Sequence, residues 1–558
     1  MAQLLGWRLL LSTVVLALSL FSCQISNAEV QWKKFSYFNN WSGQNDQLST
    51  TEIADNEASD IQNFIFDTGG ALRKRTGFRT INIGNNPVKV STGTVIEVTG
   101  IAFYELNSGS RFLVSLANRD GVPTVKQKTY DTNGGPTNAE WVTIDGAVPS
   151  DAITWAVPYD GINRSDFVIA EDKCVFTIGV NTYKPYYFDG TNHVRQLTAD
   201  TDCPNATLVE YHKNHLFLSG NNTIPSRVWF SALDDITNYT ATDFFDVQSA
   251  DGTKVRALVS AYDALYIFKD TTIWRLSGWE RDTFRLEKMV DSVGTLSFES
   301  VKATDNGIFF ATEQGDLCLY DGAYKVQFIS RKIINTTKSI NKAQAAYILG
   351  LDYSSYRFAD DDYYVAIAID ASQSNNRVLL FDTSFQAWTK FRGMNPIAWC
   401  VGDGDASDKA MYFADYSGYV HRYPSTTFYD GNVATSAILA FYQTKWFRYP
   451  EVGLGDKYWR LIKTYALSNS NQFVHAECKS DYEASGKVID ISLDSSQSEW
   501  DVDLWDAALW GGDTVIVGRN EIEKGKSMFQ IKFYNDDIVT QAVVIIGFEN
   551  FIEETSRI

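Results

Sequence analysis

The feature that most constrains this chain is a hairpin that keeps returning. Between about residues 103 and 423, a short apolar strand, a tight polar turn and a second apolar strand recur. The clearest copies are 264–276 (ALYIFKDTTIWRL), 307–322 (GIFFATEQGDLCLYDG) and 410–423 (AMYFADYSGYVHRY). Further copies lie at 167–179, 215–233 and 363–382, with a looser one at 101–118. Their turns fall near residues 107, 172, 221, 270, 313, 373 and 416. One such hairpin cannot cover its own apolar faces. A repeat of roughly 40 to 50 residues that supplies a few antiparallel strands buries them by stacking, as the blades of a β-propeller do. The expectation is an all-β chain with a six- or seven-bladed propeller over residues 91–428.

Composition agrees with a folded β protein. Hydrophobic residues make up 44% and charged residues only 21% of the 558 positions, too apolar a balance for a disordered chain. Tyr, Phe, Val and Thr fill the apolar runs, and few windows carry helical spacing. The formal net charge of −19 argues against a surface that grips phosphates through Lys and Arg. It suits either a merely soluble protein or a surface that DNA passes without sticking.

The chain opens with an apolar run, residues 9–21, behind Arg8 and ahead of Ser26-Asn27-Ala28. Residues 1–28 read as an export signal, with Cys23 in a lipoprotein-like setting. The other readings are a start codon placed too early and an apolar N-terminal helix used in an assembly. The run is short for a membrane span, and no stable span is expected elsewhere. Residues 29–90 read as an extended N-terminal arm. Asp55, Glu57 and Asp60 precede a strand at Asn63-Phe64-Ile65-Phe66, a turn at Asp67-Thr68-Gly69-Gly70, and the basic Arg73-Lys74-Arg75 with Gly77. The basic cluster has three open fates: the acidic segment, another subunit, or solvent.

These residues carry a resemblance. The E-A-S-D segment, the N-h-h-h strand (h, hydrophobic), the G-G turn and the R-x-R-x-G ending resemble the start of virion proteins of tailed bacteriophages. Residues 226–278, from Ser226-Arg227-Val228-Trp229-Phe230-Ser231 to Ile273-Trp274, are similar to the β-propeller of tail nozzle and head–tail stopper proteins of that kind. The resemblance implies a non-enzymatic ring subunit of a phage tail. It would touch portal and adaptor proteins above and a spike or needle below, and an acidic lumen would let DNA slide through during ejection. An N-terminal export signal departs from that pattern. It points instead to a periplasmic or lipid-anchored propeller that binds a protein or glycan. A secreted glycan-cleaving enzyme is a third reading, resting on fold alone.

After residue 428 the repeat stops. Alternating strands such as Lys457-Tyr458-Trp459-Arg460 and Met528-Phe529-Gln530-Ile531 predict an antiparallel β-sandwich over 429–558. Trp500, Trp505 and Trp510 cluster in an acidic loop, as a contact patch or an aromatic lid. No set of residues nominates itself as catalytic, cofactor-binding or metal-binding. There is no HExxH, GxSxG, Walker A or strand-coupled GxGxxG. His212 and His215, three apart, are expected on opposite faces of a strand. Asp403, Asp405 and Asp408 read as a solvated turn, with calcium as the alternative. Asp360, Asp361 and Asp362 precede a strand. None of the six cysteines forms a CxxC pair; a Cys174–Cys203 disulfide is left open.

Overall fold

The computed structural model describes residues 33–38, 41–83, 86–87, 96–119, 122–130, 141–144, 164–191, 193–353, 362–404, 409–431, 437–452, 456–467, 472–493, 515–538 and 542–554. The signal-like segment with Cys23, the Trp500, Trp505 and Trp510 loop, Asp360, Asp361, Asp405 and Asp408 lie outside the described residues.

Among the described residues, seven four-stranded antiparallel sheets succeed one another from residue 96 to residue 423. Their first strands are Ile96–Glu105, Phe167–Ala170, Leu208–His212, Val255–Ala261, Lys302–Thr304, Leu349–Asp352 and Pro396–Asp403. Each first strand packs on the next, and the last returns to the first. Seven apolar cores fill the seven gaps between neighbouring sheets, the last joining Tyr412 and Val420 of the seventh sheet to Val98 and Leu113 of the first. Sheets set around an axis in a closed circuit make a β-propeller.

The apolar runs follow from this packing. Both faces of an inner strand are covered by neighbouring sheets, so Ala264–Lys269, Gly307–Ala311 and Tyr363–Ile367 are buried at every position. The outermost strand of the fourth sheet, Arg285–Asp291, is largely exposed and correspondingly polar. The repeated hairpin falls in two phases. At 264–276, 307–322 and 410–423 it is the second and third strand of a sheet; at 101–118 and 167–179 it is the first and second. The Asp-Gly turns behave as their residues require. Gly190 and Gly322 both take positive φ, +83° and +79°, in the last turn of their sheets. Trp388 packs between neighbours, its Nε1 donating to the Ile329 carbonyl at 2.9 Å.

The fourth strand of the seventh sheet comes from the other end of the chain. Arg79–Thr80 pairs with Val420–Tyr423, and the Ile81 amide donates to the Val420 carbonyl at 2.9 Å. The rest of the N-terminal segment enters two further sheets. A six-stranded sheet joins Lys33–Phe38, Phe64–Phe66 and Leu72–Lys74 to Val544–Glu554, Lys457–Leu467 and Val515–Lys526. A five-stranded sheet orders Asp60–Gln62, Ala440–Gln443, Phe529–Asn535, Phe473–Ser480 and Lys487–Ser492. The two share one core, with Trp41, Phe64, Trp459, Phe533 and Phe548 among its largest members. Burial alternates along Lys457–Leu467, as expected where one sheet face meets a core.

One open question closes and one expectation is corrected. The Cys174–Cys203 disulfide does not form. Both thiols are free and lie in different intersheet cores, where burial pushes each up to about 12. His212 and His215 do not share a strand. They end and begin adjacent strands and pair directly across the hairpin. The His212 ring then meets the Ser260 hydroxyl at 2.7 Å, while His215 faces the Ser231 and Trp279 carbonyls. Among the described residues, no helix is long and apolar enough to cross a membrane.

Candidate functional site

Because each first strand runs along the axis, the residues at and just before its start converge at one end of the ring. Arg164 and Asp166 precede the second sheet's first strand, Glu299 the fifth's and Tyr347 the sixth's; Lys302 opens the fifth's and Glu210 lies within the third's. Asp166 Oδ2 accepts the Val209 amide at 2.9 Å, and Glu210 Oε1 accepts the Tyr211 amide at 3.1 Å. Arg164 is the hub. Its guanidinium lies over the Tyr347 ring, 5.6 Å from the centroid, and its Nε stands 3.7 Å from Glu299 Oε2. That distance is too long for a hydrogen bond, and neither atom has another partner.

The carboxyls here are surrounded by protein. Burial pushes Asp166 up to about 7 and Glu210 and Glu299 up to about 8, with the Asp166 charge adding to the rise at Glu210. A cavity of about 290 Å³ opens beside them, lined among others by Arg164, Asn221, Asn222, Lys254, Arg256 and Tyr347. Arg256 is held by Asp270 at 2.6 Å. Arg164, Lys254 and Arg256 give the cavity a basic wall, so it suits an anion.

The opposite end of the ring is different. Turns of the third, fourth and fifth sheets expose Leu233, Tyr262, Trp279 and Tyr324, with Trp279 60% and Tyr324 76% accessible. They form a connected surface. Lys213 lies 4.8 Å from the centroid of the Trp279 ring and 3.0 Å from Asp263, while Tyr262 packs against Gly322. Exposed Trp and Tyr on a turn face are the residues that anchor protein contacts.

A third region joins the ring to the two remaining sheets. Arg75 is fully buried. It grips Asp430 through two nitrogens at 2.9 and 2.8 Å, and also bonds Asn63 Oδ1 and the carbonyls of Thr76 and Arg392. Lys74 bonds Asn535 Oδ1 and the Asp537 carbonyl, and burial lowers it to about 8. The basic cluster therefore splits from the acidic segment. Asp55, Glu57 and Asp60 pair instead with Lys445, Lys332 and Lys390. Asp403 is held by Arg111 at 2.8 Å.

Comparison with known proteins adds little to this geometry. No family model and no curated protein matches the chain. Among solved structures, the N-terminal domain of Nup159 is 11% identical with a TM-score of 0.34, over 65% of this chain and 97% of that one. YCF48 bound to D1 peptide is 12% identical with a TM-score of 0.35, over 62% and 95%. An exo-β-1,3-galactanase from Phanerochaete chrysosporium is 8% identical with a TM-score of 0.26, over 86% and 100%. At such scores the likenesses carry no functional argument.

The axial carboxyls were not singled out from the sequence. Their signal is slight: an acid at or beside the first strand in three repeats, as in Ser165-Asp166-Phe167, Val209-Glu210-Tyr211 and Phe298-Glu299-Ser300. Arg75 was visible as part of a basic cluster, but its partner lies 355 residues away.

Proposed function

We infer that this chain is a structural subunit of a phage particle: a seven-bladed propeller and a C-terminal β-sandwich built to assemble into a tail nozzle or stopper ring. The observation that carries the reading is the placement of the motif-bearing segment 50–78. Its strands enter both C-terminal sheets, and Arg75 locks them to Asp430 at the end of the propeller. A segment used as a mechanical clamp fits a part that transmits force between neighbours. The aromatic turn face and the net charge of −19 fit side-to-side contact around a lumen that repels DNA. The test is native mass by light scattering with negative-stain imaging on the purified chain, alone and with a portal–adaptor complex. Closed rings, or rings that form on that complex, are expected. A monomer that ignores the complex would overturn the reading.

The axial cavity favours a second reading, an exported propeller that binds an anionic group of a protein or glycan. Its buried Arg164 and adjacent Lys254 and Arg256 supply the recognition. Citrate and an acidic oligosaccharide are suitable probes in calorimetry. Binding lost on Arg164→Gln supports this reading, and no binding of either probe removes it.

A further inference from the structure

His475 lies in the strand Phe473–Ser480 of the five-stranded sheet, where its neighbours are Asp490 on one side and Tyr534 on the other. Its Nδ1 stands 2.7 Å from Asp490 Oδ1, and the ring stacks on Tyr534 with centroids 4.9 Å apart. An ionised carboxylate only accepts, so Nδ1 carries the hydrogen and the imidazole is fixed in orientation. The other nitrogen, Nε2, meets two more carboxylates at the end of Phe529–Asn535. Asp536 Oδ1 is 3.7 Å away and Asp537 Oδ2 is 3.8 Å away.

Those two distances are too long for hydrogen bonds. They lie just above the spacing of two ligands that share one ion. Donors each about 2.0–2.2 Å from a Zn²⁺ ion stand roughly 3.3–3.6 Å apart at tetrahedral angles, so a shift of a few tenths of an ångström in the exposed aspartates closes the site. All three donor atoms lie within 4.8 Å of one another. A metal-binding histidine characteristically gives its second nitrogen to a carboxylate, as His475 gives Nδ1 to Asp490. The Lys74 ammonium also holds the Asp537 carbonyl at 3.1 Å, which helps to fix the turn that carries both aspartates.

We propose that His475, Asp536 and Asp537 bind a Zn²⁺ ion, with Asp490 as the positioning residue and water completing the coordination. The imidazole selects against Ca²⁺ and Mg²⁺, which take oxygen ligands. The ion would tie the end of Phe529–Asn535 to the Phe473–Ser480 and Lys487–Ser492 hairpin, beside the Lys74 contact. The proposal is independent of either functional reading, since no part of the site belongs to the cavity or the aromatic face.

The test is calorimetric titration of ZnCl₂ into the full chain after chelator treatment, with melting followed in parallel. One Zn²⁺ per chain is expected, with a melting point that rises with zinc. His475→Gln should abolish both, and Asp536→Asn with Asp537→Asn should weaken binding at least a hundredfold. Asp490→Asn should weaken it about 10–100-fold. All variants should melt close to the parent chain when zinc is absent, which separates a lost ligand from a lost fold. No stoichiometric uptake, or uptake undiminished by His475→Gln, would overturn the site. Uptake of Ca²⁺ in preference to Zn²⁺ would overturn the choice of ion.

Discussion

Arg75 shows how a single side chain can hold distant parts of this chain together. It is wholly buried, and each of its nitrogens has a partner, so its charge is tolerable only while Asp430 faces it. Arg75→Ala strands the Asp430 carboxylate and empties a guanidinium-sized space. A loss of about 3–5 kcal/mol in urea unfolding is expected. Arg75→Lys should recover only part of it, because an ammonium cannot make the paired contact. The axial carboxyls make a second prediction. Their folded-state values, about 7 for Asp166 and about 8 for Glu210 and Glu299, lie above the ordinary carboxylate range near 4. Between roughly pH 4 and these values, the folded chain holds protons that the unfolded chain has released. Their contribution is therefore full at the acid end and is lost as pH rises towards 8, at up to about 1.4 kcal/mol per carboxyl and pH unit. Denaturation midpoints measured at pH 5, 6, 7 and 8 should fall along the series. Glu210→Gln with Glu299→Gln should flatten the fall, and an unchanged slope would refute the assignment.

At the level of elements, the repeat was legible and its closure was not. Each hairpin is local in sequence, its strands are near-continuously apolar, and several of its turns carry Gly at positive φ (Gly109, Gly315, Gly418), although others reach it with Asp or Asn, as at Asp172, Asn214 and Asp370. Such features are visible without partners. The phase slips at 101–118 and 167–179 arise because first and second strands are apolar too, so any adjacent pair can pass for the repeating unit. The destination of Arg79–Thr80 was hidden for a different reason. Two residues, Arg and Thr, carry no periodicity, and their pairing with Val420–Tyr423 spans the whole ring. Asp166, Glu210 and Glu299 were hidden likewise, because only ring closure brings acids from separate repeats to one axis. The closing strand predicts its own test. Ile81→Pro removes the amide that donates to Val420 and the buried Ile81 side chain together. A loss of about 3 kcal/mol follows from one hydrogen bond and one buried aliphatic group. Hydrogen exchange should rise first in Lys409–Asp415 and Val420–Tyr423, and protection there equal to the parent would show that the strand is dispensable.

For the whole molecule, charge and exposed aromatics pull in opposite directions. Every copy is strongly acidic, with a formal charge of −19, so copies repel, while Trp279, Tyr262, Tyr324 and Leu233 offer apolar contact on one end of each ring. Which force dominates depends on ionic strength. The screening length is about 30 Å at 0.01 M salt and about 8 Å at 0.15 M, so added salt weakens the repulsion between whole surfaces but leaves apolar burial in place. Self-association through the aromatic face should therefore grow from about 0.01 M to about 0.5 M NaCl, which sedimentation velocity at fixed protein concentration would show. Trp279→Ala with Tyr324→Ala should abolish the gain without lowering the melting point, since both side chains stand largely in solvent. Association that falls with salt would mean that oppositely charged patches make the contact. Arg281, which reaches Asp243 at 3.3 Å while more than half exposed, would then be the first residue to reverse.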